Sequence, residues 1–178
     1  MSILLGTTNL RGNSEQAVKA YNNGTTIDAG LFVQKIDGAD KYAVVSNANT
    51  PIKVDGISTV KNELFTGLSE LKNDNQVFYL ESKDIGVQFQ ETSGGTIGQS
   101  VWLSSTALGK ATIVTQAGKT PIGILLSTID LASDGFSEKD SNGDIMYGAR
   151  IAFRSVREGT PVTSAPANPI NNQTAKNK

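Results

Sequence analysis

The 178-residue sequence contains no histidine and no cysteine. That absence excludes thiolate nucleophiles, Ser-His and Cys-His pairs, the usual zinc ligand sets, iron–sulfur ligation and disulfide staples. An excess of one charge is also missing. Sixteen Lys and Arg face 17 Asp and Glu, a formal net charge of −1, without the broad positive field that sequence-independent nucleic-acid binding requires. Nucleic acid is therefore not an expected partner. No window approaches the roughly 20 apolar residues that span a bilayer, so no membrane partner is expected. The opening MSILLGTTNLRGNSEQ has a three-residue apolar run with no basic stretch before it, which does not read as a secretory signal.

What is present is glycine, 18 residues of it, scattered between short β-branched and aromatic runs. Short strands joined by turns look like this, and the pattern predicts an all-β fold. The predicted strands are 29–36, 41–46, 76–82, 85–91, 96–104, 110–116, 121–127 and 145–155. In 85–91, Ile85, Val87 and Phe89 alternate with Gly86, Gln88 and Gln90, predicting one buried and one wetted face. Ile122, Ile124, Leu125 and Leu126 suit a strand covered on both sides, and periodicity alone also leaves a buried helical turn open. Two stretches carry helical features: 14–21, with Ser14 as a cap, and 59–71, with Val60, Leu64, Leu68 and Leu71 at helical spacing. Trp102, among apolar strand residues, is expected in the core.

A weak repeat runs at a spacing near 70 residues. Thr26-Ile27 before Leu31-Phe32-Val33 matches Thr96-Ile97 before Val101-Trp102-Leu103. Lys41 to Ser46 resembles Lys110 to Thr115, and Thr50-Pro51-Ile52 resembles Thr120-Pro121-Ile122. Two similar hairpins arising by chance and a duplicated, face-to-face β-motif both account for it.

From Gly159 onward the chain holds three of the five prolines and only Lys176 and Lys178 as charges. Such a segment buries too little apolar area to offset its ordering entropy. The expected organisation is a short extended N-terminal arm over 1–24, a compact β-sandwich or barrel-like domain over 25–157, and a disordered Pro/Asn-rich tail over 158–178.

Candidate chemistry is sparse. GGTIG (94–98) lacks the full dinucleotide spacing and the Lys-Ser/Thr of a phosphate loop, and reads as a turn leading into a strand. Asp140, Asn142 and Asp144 sit at alternate positions like the start of a calcium loop, but the twelfth position is Ile151; a hairpin turn on Asn142-Gly143 accounts for them better. Asp130, Asp134, Glu138, Asp140 and Asp144 cluster in a Gly/Ser/Asp-rich connection, where solvated turn residues are the default. With no nucleophile, metal set or cofactor motif beside them, no catalytic residue, metal or cofactor is assigned, and an enzyme is not expected. Arg150, Arg154 and Arg157 fall in or just after the last strand, the first two on one face. They are either a solvated strand face or a patch whose forked donors pair with carboxylates of a protein partner.

The successions Gly95-Thr-Ile-Gly-Gln-Ser-Val-Trp-Leu-Ser104, Gly109-Lys-Ala-Thr-Ile-Val-Thr115 and Thr120-Pro-Ile-Gly-Ile-Leu-Leu126 resemble the small β-rich capsid decoration proteins of tailed bacteriophages. Residues 27–33 resemble the first strand of those proteins, and the resemblance covers about 25–127. It implies a virion protein without catalytic activity, made in the host cytoplasm, that binds the outside of the major capsid protein lattice and forms homo-oligomers there. The long 130–145 connection and the C-terminal segment depart from the pattern. A head-fibre base or tail protein would share the composition, as would a carbohydrate-binding β-sandwich. The latter is usually marked by a row of exposed aromatics, which one Trp and four scattered Tyr do not suggest.

Overall fold

The computed structural model describes residues 2–7, 18–22, 26–48, 52–59, 76–79 and 84–158. Among them it is all-β, with no helix. The strands are β1 (Ile3–Leu4), β2 (Val18–Asn22), β3 (Phe32–Ile36), β4 (Ala39–Val45), β5 (Lys53–Val54), β6 (Gly56–Ile57), β7 (Gln76–Tyr79), β8 (Ile85–Gln88), β9 (Ser100–Leu103), β10 (Ala111–Thr112), β11 (Gly123–Leu125), β12 (Asp130–Ser133), β13 (Tyr147–Phe153) and β14 (Val156–Arg157).

A seven-stranded sheet is organised around β13, the longest of its strands. On one edge β13 pairs with β11 and then β12; on the other it pairs with β8. The sheet continues through β9 to β10, and β1 adds in parallel to β12. Beyond β8, Phe89 bridges Ala111 and the Gln90 N–H donates to the Ala111 carbonyl at 2.9 Å, so the sheet curls back toward its other edge. A five-stranded sheet runs β6-β3-β4-β2-β7, and β14 pairs with β5. Along β13 the odd positions Ala149, Ile151 and Phe153 are buried while Arg150 and Ala152 face outward, the alternation a half-covered sheet requires.

The repeated segments fold alike. In each, one strand is flanked by two antiparallel partners: β3 by β4 and β6, and β9 by β10 and β11. The two units share one core, in which Phe32, Ile52 and Ile57 pack with Val101, Leu103 and Ile122, and the Phe32 and Phe153 rings lie 5.7 Å apart. They are also joined through the backbone at Gly109, which accepts from Phe32 N–H at 2.9 Å and donates to the Ser46 carbonyl at 3.1 Å.

Several expectations are corrected. Residues 18–22 are a strand: parallel pairing with β4 and antiparallel pairing with β7 override the weak local helical features. The expected helix at 59–71 falls almost wholly outside the described residues, as does the segment from 159 onward. The second face of β8 is buried because the N-terminal segment covers it. A Cβ on Gly86 would meet the Leu4 carbonyl at 2.2 Å, and Gln88 Nε2 donates to the Ala29 carbonyl at 2.8 Å. Leu5, fully buried with Ala29, Ala132 and Met146, anchors that segment. β11 is covered on one side only, leaving Ile124 and Leu126 exposed. Trp102 is half-buried on the outer face, because Val101 and Leu103 take the inward positions of β9. Part of the expected 130–145 connection is the strand β12.

Candidate interaction surface

The three arginines singled out in the sequence have three different environments. Arg150, largely buried, forms an ion pair through Nε with Asp84 Oδ1, and its Nη2 donates to the carbonyls of Asp84 (3.1 Å) and Thr7 (3.2 Å). One guanidinium thus ties β13 to the start of β8 and to the N-terminal segment. Arg157 grips Asp55 bidentately, Nε to Oδ1 at 2.6 Å and Nη2 to Oδ2 at 2.8 Å, while Asp55 also accepts the Lys35 N–H at 2.6 Å. The hydrogen bonds that Arg157 donates to Asp55, outweighing partial burial, raise the Arg157 pKa. Asp37 lies beside Arg157 at 3.4 Å and pairs with Lys53, whose hydrogen bond and charge hold the Asp37 carboxyl below the ordinary range. Arg154 is exposed and forms no ion pair with another described residue.

Arg154 borders a groove of about 520 Å³ lined by Pro121, Ile122, Ile124, Ala152 and Phe153. Cross-strand register builds it. Ser100, Ile124 and Ala152 are direct partners across β9, β11 and β13, so they form one outward row, with Ile124 49 % exposed. An apolar floor with a cationic rim suits a protein contact, where desolvated aliphatic area and Arg combine. Glu158 stands nearby, accepting the Thr120 N–H at 2.8 Å and the Ile52 N–H at 3.5 Å. Burial pushes its carboxyl up, but those donors and the Lys119 charge outweigh this and hold it below the ordinary range.

The acidic connection is structural. Asp140 Oδ1 accepts the N–H groups of Asn142 and Asp144, both at 2.9 Å, around a turn in which Gly143 has φ +88°. Asp134 Oδ1 accepts from Phe136 (2.9 Å) and Ser137 (2.6 Å). A cleft of about 440 Å³ contains Asp28, Gln88, Lys110 and Asp140, yet its carboxylates are engaged in holding loops: Asp28 takes the Ser141 N–H at 3.1 Å and hydroxyl at 2.7 Å. Among the described residues no group of three potential ligands could hold a metal ion, and Gly94, Gly95 and Gly98 form the turn before β9. The sequence reading missed Phe136, which is fully exposed; a single aromatic within a Ser/Asp/Gly loop was its available signal. Among the residues whose exposure is described, it is the one aromatic in the exposed hydrophobic set.

No protein-family model matches the chain, and no curated protein matches it in sequence. Among solved structures, a chain of "The capsid of Myoviridae Phage XM1" has a similar fold, with a TM-score of 0.52 at 15 % identity. The match covers 88 % of this chain and 94 % of that one, so the likeness is of whole folds.

Proposed function

We propose that the protein is a non-enzymatic structural component of a bacteriophage virion that binds the outer surface of the capsid lattice, with the major capsid protein as partner and further copies of itself as neighbours. The observation that carries this reading is the fold likeness, over nearly the full length of both chains, to a chain from a phage capsid. The decoration-protein motifs at 95–126 support the finer assignment to the shell exterior, and they belong to the strands and turns that form β9 to β11. Of the three arginines, Arg154 is the one left to a partner, beside the apolar row of Ile124 and Ala152. Because β1 and β2 place much of residues 1–24 in the two sheets, the remaining contact is assigned to the segment after 158, since segments that order on binding can span joints between subunits. A ligand that binds only the intact shell stabilises it by mass action.

The test is sedimentation of the purified chain with shells of the phage that encodes it. Saturable loading is expected, together with shells more resistant to heat and low salt than bare ones. Arg154→Glu and truncation after Gly159 should each reduce loading while leaving the fold intact. Failure of the parent chain to load, or protection of shells without loading, overturns the proposal.

A further inference from the structure

Phe136 and the Arg154 groove lie at opposite ends of one rigid strand. Phe136 follows β12, whose antiparallel partner is the N-terminal end of β13, whereas the groove is formed at the C-terminal end of β13. The seven residues of β13 separate them by ~20 Å at ~3.3 Å per residue, so the ring cannot fold back into the groove of its own chain. The ring is fully exposed, yet its backbone is pinned. Asp134 accepts from Phe136 and Ser137 as described above, and the Gly135 N–H donates to Ser133 Oγ at 3.0 Å. A large apolar side chain held on a preorganised tip has the character of a contact anchor, because little ordering entropy is lost when it docks.

The two ends are complementary. Asp134 and Glu138 flank Phe136, with Lys139 as the nearby cation, and the groove offers an apolar floor of Ile124 and Ala152 with Arg154, which forms no ion pair with another described residue, at its rim. A guanidinium beside an aromatic face adds cation–π attraction, and the flanking carboxylates favour the same cation. We propose that copies of this chain associate head to tail, with Phe136 of one seated in the Ile124–Ala152–Arg154 groove of the next. The contact is heterologous: each copy uses one knob and one groove, so association continues until a ring closes or an edge is reached. This deepens the proposed virion role by specifying contacts between neighbouring copies. It stands on surface chemistry measurable without capsids, so its failure leaves the capsid reading untouched.

Sedimentation velocity of the full chain, up to about millimolar concentration because a one-residue anchor makes a small interface, tests it. The parent should show a sedimentation coefficient that rises with concentration. Phe136→Asp and Arg154→Glu, both at exposed positions, should each weaken association at least tenfold with unchanged circular dichroism and thermal midpoint. An equimolar mixture of the two variants is the decisive arm: one retains a groove and the other a knob, so they should form a 1:1 dimer that grows no further. A parent that stays monomeric, variants that associate like the parent, or a mixture that stays monomeric while the parent associates would each overturn the proposal.

Discussion

Gly109 joins the two three-stranded units, and replacing it tests whether that junction is as tight as the structure has it. Its φ is +70°, and an added Cβ would lie 2.2 Å from Val45 Cγ1 and 3.4 Å from the Phe32 carbonyl oxygen. A left-handed backbone costs an L-residue about 1–2 kcal/mol, and forcing a methyl into a filled site adds about 1–3 kcal/mol. Gly109→Ala should therefore destabilise by about 3 kcal/mol, a fall in thermal midpoint of ~6–12 °C for a chain of this size. Gly118 separates the two effects: its φ is +71° with nothing within 4 Å of an added Cβ. Gly118→Ala should show the backbone effect alone, about 1 kcal/mol. Val45→Ala should cost about 1 kcal/mol in the parent, for methyls removed from a half-buried site, but be neutral or stabilising in the Gly109→Ala background, where it removes the clash. Urea unfolding of the four variants and the parent measures all of this. Equal losses for Gly109→Ala and Gly118→Ala, or no favourable coupling between positions 45 and 109, would refute the reasoning.

Further outcomes follow from the polar contacts. Asp55→Ala should cost about 2 kcal/mol and Arg157→Ala about 1 kcal/mol or less in urea midpoints, because removing Asp55 orphans the Lys35 N–H and leaves the half-exposed guanidinium only its longer contact with Asp37; the reverse order contradicts the assignment. The Glu158 and Asp37 carboxyls titrate below their ordinary range in the folded chain, so their contribution is present above that range and is lost as pH falls through the folded values. Thermal midpoints should drop on acidification below about pH 4, less steeply in Glu158→Gln, and identical acid profiles would count against the tether. Asp140→Ala should lower stability by about 1 kcal/mol by freeing the 140–144 turn, and a broad hydrolase screen of the parent should show no turnover that this change abolishes.

A strand whose inner face alternates with period two was legible in the sequence: Ile85 and Val87 on β8, and Phe89 just after it, are buried as the pattern predicts, and the strand expected at 145–155 is there as β13. What escaped depends on distant partners. Nothing local shows that Leu4 and Ala29 cover the second face of β8, that β2 is claimed by β4 and β7, or that Ile124 is left open. The arginines show the same division. Their positions on the last strands were readable from spacing, but Asp84 is 66 residues from Arg150 and Asp55 is 102 from Arg157, so their ion pairs were not. Phe136 was hidden by its neighbours, because a Ser/Asp/Gly connection reads as a solvated loop whatever single aromatic it carries.

The virion assignment is tested most directly by electron cryomicroscopy of particles purified from the phage that encodes the chain, beside particles lacking it. The account predicts density fitting the curled seven-stranded sheet at symmetry-related sites on the outer face of the shell, absent from the deletion particles. Density for the fold confined to the tail or fibres, or identical shells with and without the gene, would contradict it.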